Sequence, residues 1–420
     1  MASAYSLDEL LAYPGRSTRA LVDLDAIRDN ARSLRAHVGE SIELMAVVKA
    51  DGYGHGAVMV AREAINGGAT WLGVATVAEG RELRDAGLQA AVLVLGPIHA
   101  SEIDAAIAER LDVTVGDEPL AEAMSGRAEA GLPLPRLHLK VDTGMHRYGV
   151  APERALAVLD RLTSASPSSV LALCTHLASA DAPDGKLSER QDRVLRDVLR
   201  EARRGHPDLA VHVANSSASM SGWADGTTIA RTGIALYGCS VPLDRAAAMG
   251  LRPAMSIVSR LMRVHDLAAG DGVSYGHTYV ADAEERVGLV PIGYADGYVR
   301  SLSGLGWMSV RGVEAPVRGR VCMDQTVIGD LPRSAGHGDW VGIVGPALGG
   351  PAWDDLATMG DTIDYELLTS AGRRVARLYH RSGLLVAVRD EMGRYVEIAD
   401  IENAPCRHVA AGGVLVVRRR

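Results

Sequence analysis

Short apolar runs rich in β-branched residues recur along the first 240 residues, and most are followed by a stretch whose apolar residues have helical spacing. Eight of these runs predict buried strands: LMAVVKA, WLGVAT, AVLVLG, VTVG, RLHLKVD, VLALCTHL, AVHVANS and IALYG. Eight buried strands that alternate with helices over roughly 250 residues are typical of a (β/α)8 TIM-type barrel. A doubly wound sheet is the alternative fold. It needs a G-x-G-x-x-G turn after its first strand, and the glycines of DGYGHG lack that spacing.

The pattern changes after about residue 250. Stretches such as GDGVSYGHTYV, RVGLVPIGYADGY and APVRGRVCMDQTVIG combine β-formers with glycine turns, which predicts a mainly β C-terminal domain. The predicted organisation is an N-terminal extension (1–18), a barrel (19–250), a β-rich domain (251–378) and a C-terminal extension (379–420). The last segment alternates apolar and polar residues, which is typical either of added β-structure or of a poorly ordered tail.

Composition and charge narrow the range of partners. Of the 420 residues, 47% are hydrophobic and 23% are charged, which is typical of compact globular domains. The net charge is −8 and no dense Lys/Arg block precedes the terminal VVRRR, so we expect a small-molecule partner and no nucleic acid. The four cysteines are far apart, which favours reduced thiols over a metal site or disulfides. Without a leader pattern or a membrane-length apolar run, we expect a cytoplasmic protein that does not bind a membrane.

Lys49 ends the first apolar run, in AVVKADGYGHG. In a barrel, the C-terminal strand ends form the functional face. A lysine emerging from an apolar strand is partly desolvated, so its pKa should be lowered towards that of a reactive amine able to form a Schiff base. The alternative is a strand-end lysine whose ammonium group simply reaches water.

Other strand ends carry polar groups that would lie on the same face, namely Arg147, His176, Asn215, Ser216 and Arg231. Each has an ordinary alternative: a solvated arginine, a satisfied histidine, or a helix cap in NSS. Together they predict a site for an anionic cofactor. Backbone N–H groups in NSS and at Gly233 and Ile234 suit a phosphate, which such barrels commonly bind after strands seven and eight.

Eight ordered segments carry a family resemblance: AVVKADGYGHG, KVDTGMHRYG, THLASAD, RTGIALYG, VSYGHTY, PIGYADGY, RVCMDQ and TIDYELLT. From about residue 19 to about residue 378, the chain resembles bacterial alanine racemase. The resemblance implies a pyridoxal-phosphate enzyme with a barrel and a β-domain. It also implies a homodimer with shared active sites that interconverts L- and D-alanine for peptidoglycan.

The resemblance assigns two bases to opposite faces of the substrate. Lys49 resembles the lysine that holds the cofactor covalently and then acts as the base on the D face. Tyr275 resembles the base on the L face, which enters the active site from the other subunit. A tyrosine needs help to act as a base, and His176 and Arg231 are expected to provide it.

The resemblance also implies how the cofactor and substrate are held. Arg231 matches an arginine that contacts the pyridine nitrogen and keeps it without a proton, which disfavours transamination. Arg147 and Met323 match contacts to the substrate carboxylate, and Arg147 also to the cofactor's phenolic oxygen. The other implied cofactor contacts are Tyr53, His176, Asn215, Ser216, Gly233, Ile234 and Tyr365, although Tyr53 and Tyr365 could be ordinary half-buried tyrosines.

Further positions match with less specific roles. His176, Asp181, Arg300 and Arg320 resemble residues around the site or along the substrate corridor. Lys140 matches a lysine that is carbamylated in some family members, and a plain salt-bridged lysine is the alternative.

Two positions depart from the family pattern. Leu177 stands where Phe is usual, and Thr232 where Pro commonly precedes the Gly-Ile pair. The chain contains no Phe at all, so Leu177 fits a wider substitution. We expect a folded variant whose packing beside the phosphate is looser and whose activity is reduced but not changed.

Two alternatives to an alanine racemase stay open at this point. The first is a racemase or decarboxylase of the same fold that acts on serine or a basic amino acid. The bulky side chains of Tyr275, Met323 and Tyr365 favour a methyl-sized substrate. The second is a non-catalytic pyridoxal-phosphate carrier, which would typically lack the second domain and the Tyr275 segment.

Overall fold

The structure is a computed structural model that describes residues 15–182, 184–221, 226–240 and 243–397. Residues 1–14 of the predicted N-terminal extension and 398–420 of the predicted C-terminal extension lie outside the described residues. The chain forms two compact units. The barrel unit contains residues 27–52 and 60–251, and the β-rich unit contains the described parts of 1–26, 53–59 and 252–420. No helix in the described ranges is long and apolar enough to cross a membrane.

The first strand, β1 (Arg19–Asp23), belongs to the β-rich unit, although the sequence pattern assigned it to the barrel. The eight barrel strands follow: β2 (Glu43–Val47), β3 (Trp71–Val74), β4 (Ala91–Val94), β5 (Asp112–Val115), β6 (Leu137–Lys140), β7 (Val170–Cys174), β8 (Ala210–His212) and β9 (Ile229–Thr232). They are parallel in the order β8-β7-β6-β5-β4-β3-β2-β9. Backbone bonds from Thr228 N to Val211 O (2.7 Å) and from Arg231 N to Ala214 O (2.9 Å) join the two end strands, so the sheet nearly closes. The predicted barrel is confirmed.

Helices separate the barrel strands and pack their apolar side against them. They are α1 (Leu24–Val38), α2 (Ala57–Asn66), α3 (Val77–Asp85), α4 (Ile103–Ala108), α5 (Glu118–Glu129), α6 (Pro152–Ala165), α7 (Lys186–Gly205), α8 (Ser216–Met220) and α9 (Leu243–Met249). Helix α3 begins with a capping box in which Thr76 and Glu79 satisfy each other's backbone N–H groups. Helix α5 begins at the Asp117 cap, whose carboxylate accepts a bond from Leu120 N at 2.8 Å.

The eighth predicted strand, IALYG, was wrong. Residues Ile234–Tyr237 form a short 3-10 helix that is buried on all sides, and the eighth strand is the preceding β9. Gly233 has φ −105° and ψ −97°, and Gly238 has φ +72°, so the backbone leaves the extended conformation on both sides of the run. A continuous apolar run cannot by itself distinguish a buried strand from a buried helical turn.

The β-rich unit contains the remaining strands: β10 (Met255–Arg260), β11 (Arg263–Leu267), β12 (Gly272–Val273), β13 (Tyr279–Val280), β14 (Glu285–Val290), β15 (Trp307–Val310), β16 (Val313–Pro316), β17 (Thr326–Ile328), β18 (Trp340–Val344), β19 (Ala376–Arg381), β20 (Leu384–Arg389) and β21 (Tyr395–Glu397). The main sheet has the order β16-β15-β18-β10-β1-β19-β20-β21. Strand β1 is antiparallel to its neighbour β10 and parallel to its other neighbour β19. Smaller sheets have the orders β11-β14-β17 and β12-β13. Two helices, α10 (Trp353–Met359) and α11 (Asp364–Ser370), complete a mainly β unit, as predicted.

The described part of the predicted C-terminal extension is β-structure. Strands β20 and β21 form an antiparallel hairpin that continues the main sheet beyond β19. Val388 of β20 packs in one core cluster with Leu21, Val258 and Leu378 of the same unit. Ala387 and Val388 are consecutive and both buried, so this part of the hairpin is covered on both faces of the sheet.

Candidate active site

The twelve site residues predicted from the sequence divide between the two units. Eight lie in the barrel unit: Lys49, Arg147, His176, Asn215, Ser216, Arg231, Gly233 and Ile234. Four lie in the β-rich unit: Tyr53, Tyr275, Met323 and Tyr365.

Lys49 follows strand β2 by two residues and begins a turn with an unusual backbone. Ala50, Asp51 and Gly52 all have left-handed conformations, with φ between 52° and 60°. For the two residues with a Cβ, this conformation costs roughly 1–2 kcal/mol each. The turn is held by a bond from Gly52 N to Val48 O at 2.8 Å and one from Ala50 N to the Glu79 carboxylate at 2.7 Å. Backbone strain of this kind is characteristic of functional sites.

The Lys49 amine lies in an environment that favours its neutral form. Burial lowers its pKa, the positive charge of Arg147 lowers it further, and the negative charge of Glu79 acts in the opposite direction. The predicted reactive amine therefore has a physical basis, because only the neutral amine is nucleophilic or able to accept a proton.

Arg231 lies within strand β9, and its guanidinium group is buried among backbone carbonyls. Its Nη1 donates to His212 O at 2.7 Å, and its Nη2 donates to Thr175 O at 2.8 Å and Val213 O at 3.2 Å. Within the described ranges, its Nε–H has no hydrogen-bond partner. That N–H is thus the donor that remains for a ligand acceptor such as a ring nitrogen.

A line of buried polar groups extends from Arg231 across the barrel. Nη1 of Arg231 is 2.9 Å from His212 Nδ1, His212 Nε2 is 2.9 Å from His138 Nδ1, and His138 Nε2 is 3.5 Å from Asp112 Oδ2. Arg136 pairs with the same carboxylate at 3.0 Å. Since arginine can only donate, His212 Nδ1 must accept, and both imidazoles therefore carry their proton on Nε2. Burial lowers the pKa of both histidines, so they are neutral.

His176 reports the electrostatic field at this end of the barrel. Its Nδ1 lies 3.4 Å from Arg231 Nη2. Burial and then the charges of Arg231, Lys140, Arg147 and Lys49 lower its pKa to about 3. The basic side chains around this imidazole, with Arg231 first among them, make the barrel end electropositive, which fits an anionic ligand. Burial also lowers the pKa of Lys140, whose Nζ lies 5.3 Å from the centre of the Tyr148 ring.

The predicted phosphate segment has two parts joined by a hydroxyl. Asn215 caps helix α8, and its side chain accepts a bond from Ala218 N at 2.9 Å. Ser216 Oγ accepts bonds from Gly233 N at 2.9 Å and Ala235 N at 3.4 Å. The loops after β8 and β9 are thereby held together. Asn215 has the capping role that was the ordinary alternative for NSS.

In the β-rich unit, Tyr53 and Tyr365 lie side by side, with ring centroids 6.0 Å apart. Burial raises the pKa of Tyr53 to about 12, so its phenol keeps its proton and can donate a hydrogen bond to an anion. His55 Nδ1 lies 2.9 Å from Tyr53 O, and Arg377 Nε donates to Gly54 O at 3.0 Å. These contacts fix the backbone beside Tyr53.

Tyr275 and Met323 line one groove of the β-rich unit, together with Ser274, Cys322, Asp324 and Gln325. Both side chains are largely exposed, Tyr275 to 72% and Met323 to 53%. Ser274 Oγ donates to Arg320 O at 2.7 Å and so joins the two segments that form the groove. An exposed tyrosine beside a groove is available to contact a molecule outside its own unit.

The remaining matched positions are either surface charges or buried packing residues. Asp181, Arg300 and Arg320 are exposed. Leu177 and Thr232, the two departures from the family pattern, are buried, and the Thr232 hydroxyl donates to Met45 O at 3.4 Å.

The sequence analysis missed four residues that support the site: Glu79, Asp112, His138 and His212. A signal existed for three of them. Thr76 to Glu79 has the capping-box spacing, and the histidines are isolated polar residues at inward positions of apolar strands, in LHLK and AVH. The hydrogen bond between Glu79 and Ala50 N depends on tertiary structure, so no local sequence pattern predicts it.

Comparison with known proteins assigns both units. Residues 22–241 match the family model described as alanine racemase, N-terminal domain, and residues 254–379 match the C-terminal domain. The chain is 40% identical over 379 residues to alanine racemase of Mycobacterium ulcerans, covering 88% of this chain and 96% of that protein. The crystal structure of alanine racemase from Bacillus anthracis with bound L-Ala-P is similar with a TM-score of 0.83 and 32% identity, covering 91% and 99% of the two chains. The crystal structure of alanine racemase from D-cycloserine-producing Streptomyces lavendulae is similar with a TM-score of 0.80 and 38% identity, covering 88% and 98%.

Proposed function

Because this chain belongs to the alanine racemase family, we propose that it interconverts L- and D-alanine with pyridoxal phosphate and two opposed bases, Lys49 and Tyr275. The observation that carries the proposal is the environment of Lys49. A buried lysine with a lowered pKa, on a strained turn beside Arg147, is suited to a covalent bond with an aldehyde. A cytoplasmic supply of D-alanine for peptidoglycan is part of the proposal and is inferred from the family.

The residues present fit the cofactor. Lys49 would hold its aldehyde carbon, and the Nε–H of Arg231 would contact the pyridine nitrogen. Tyr53, Tyr365, Ser216 and the segment at 233–234 would hold the phosphate, with the protonated phenol of Tyr53 as a donor. When bound, pyridoxal phosphate withdraws electron density from the substrate Cα and so acidifies its proton.

The two bases would act on opposite faces of the substrate. Lys49 would move the Cα proton on the D face, since burial and the charge of Arg147 lower its pKa and so favour the neutral amine, which can accept a proton. Tyr275 would move the proton on the L face. Its exposure is consistent with a side chain given to the active site of a second subunit, so we propose a homodimer with shared sites. His176 would be neutral and able to exchange a hydrogen bond with that phenol.

Arg231 would make racemisation more favourable than transamination. Its charge is stabilised by three backbone carbonyls, and arginine does not give up its proton at physiological pH. It would therefore leave the pyridine nitrogen without a proton and weaken the electron sink. Arg147 and the backbone at Met323 would orient the substrate carboxylate.

Racemisation of L-alanine by purified, cofactor-loaded protein tests the proposal, with chiral analysis of the D-alanine formed. Lys49→Ala should abolish the activity, and Lys186→Ala is the matched control because Lys186 is exposed on helix α7. L-serine and L-arginine, tested in parallel, decide the substrate class. Cofactor binding by the wild-type protein without racemisation of any of the three amino acids would refute the racemase proposal. Faster turnover of serine or arginine than of alanine would refute the substrate assignment.

A further inference from the structure

The hairpin β20–β21 follows the last residue matched by the C-terminal family model. That match ends at residue 379, within strand β19. The hairpin is nevertheless integrated into the main sheet, because Val388 is in the core and Val396 is buried. The opposite face of the sheet contacts the chain segment that follows Tyr53.

One face of the sheet carries a row of three polar and aromatic side chains, one from each of β19, β20 and β21. Arg377 of β19 is opposite Arg389 of β20, and Arg389 is opposite Tyr395 of β21. Tyr379 is two residues from Arg377 and so points to the same face. The rings of Tyr379 and Tyr395 are stacked, with centroids 6.2 Å apart and planes at 24°.

These side chains lie over the segment that carries Tyr53. Arg377 donates to Gly54 O at 3.0 Å. A Cβ placed on Gly56 would overlap the hydroxyl of Tyr379 and lie 3.2 Å from the hydroxyl of Tyr395. Gly56 also has φ +99°, a conformation that favours glycine. Both hydroxyls thus rest on the backbone three residues after Tyr53.

We infer that the β20–β21 hairpin is a positioning element for the cofactor phosphate, acting through Tyr395 on the segment from Tyr53 to Gly56. Tyr395 touches no reacting atom in this scheme. It confines the backbone next to Tyr53, so that the Tyr53 phenol is already oriented when the phosphate binds. The inference rests on the proposed function, since it takes Tyr53 to be a phosphate donor.

The test compares the affinity of the apo-protein for pyridoxal phosphate and for pyridoxal, which lacks the phosphate. We expect Tyr395→Ala to weaken pyridoxal phosphate about fivefold, as when one ordered side chain becomes mobile, and to leave pyridoxal unchanged. In a Tyr53→Phe background, Tyr395→Ala should cause no further loss, since the two act through the same phosphate. Met392→Ala is the control, because Met392 is exposed at the tip of the same hairpin. Should Tyr395→Ala not fold, Tyr395→Leu retains apolar bulk against Tyr379 and takes its place.

Three results would overturn the inference: unchanged affinity for pyridoxal phosphate, an equal loss for both ligands, or a full additional loss in the Tyr53→Phe background. An equal loss would indicate general loosening of the unit. Failure of the proposed function has separate signatures. Without a phosphate site, the wild-type protein would bind pyridoxal phosphate no more tightly than pyridoxal, and without racemase activity it would bind the cofactor but form no product.

Discussion

Replacement of His138 by Phe tests the line of buried groups behind Arg231. The phenyl ring is flat and aromatic like the imidazole, although somewhat larger, and it would lie beside Trp71 and His212, whose ring centroids are 5.5 Å and 5.1 Å from that of His138. It removes the acceptor for His212 Nε2–H, which is bound at 2.9 Å, and the weaker contact of 3.5 Å with Asp112.

The cost follows from what stays buried. His212 is 1% exposed, so water cannot replace the lost acceptor. A buried donor left without a partner costs about 1–3 kcal/mol, whereas Asp112 keeps its ion pair with Arg136 and should add little. We expect a loss of about 2 kcal/mol in the free energy of unfolding. For a unit the size of the barrel this corresponds to a midpoint roughly 4–8 °C lower.

Differential scanning calorimetry of the apo-protein measures this change. His37→Phe is the control, since His37 is exposed near the end of helix α1, and its midpoint should equal that of the wild-type protein. A His138→Phe midpoint within about 1 °C of the control would show that His212 has no need of an acceptor. The assigned tautomers would then be wrong.

Three further predictions concern pH, backbone space and the site of the cofactor. Burial lowers the pKa of His176 to about 3, so between that pH and about 6.5 only the unfolded state binds a proton at this residue. The free energy of unfolding, measured by urea titration, should therefore fall as the pH decreases from 7 to 5. His176→Asn should make that fall with pH less steep. Gly56→Ala should lower the free energy of unfolding by roughly 2 kcal/mol or more, because the new Cβ would overlap buried Tyr379. Gly87→Ala is the control and should lower it by about 1 kcal/mol, because Gly87 has φ +82° but open space around it. Equal midpoints of the two variants in thermal melts would contradict this difference. Borohydride reduction followed by peptide mass spectrometry should find the cofactor on Lys49, and a label on either of the other two lysines of the chain would refute the assignment.

The barrel could be predicted because its strands are buried on both faces, and such strands occur in the sequence as short apolar runs rich in β-branched residues. Seven of the eight predicted runs coincide with barrel strands. The eighth did not, because β9 has the sequence IART, in which Arg231 interrupts the apolar pattern. The apolar run that follows it is a buried 3-10 turn. The strand was therefore concealed by a buried arginine within an otherwise apolar stretch.

The residue types of the candidate site can be read from the sequence, whereas the backbone conformation at Lys49 cannot. The sequence indicates Lys49 as a strand-end amine, and its lowered pKa agrees with that hypothesis. No local preference predicts consecutive left-handed conformations at Ala50 and Asp51, because alanine disfavours this conformation and aspartate adopts it only occasionally, as a single residue. Contacts from distant segments, such as Glu79, hold this turn, and they arise only once the barrel has formed.

The central claim is that two bases serve opposite faces, and isotope exchange in D2O tests it most directly. Tyr275→Phe should fold normally, since the side chain is 72% exposed. With D-alanine as substrate, wild-type protein should form deuterated L-alanine. The variant should exchange the α-hydrogen of D-alanine through Lys49 but form almost no L-alanine. Formation of L-alanine by Tyr275→Phe at the wild-type rate would contradict the account.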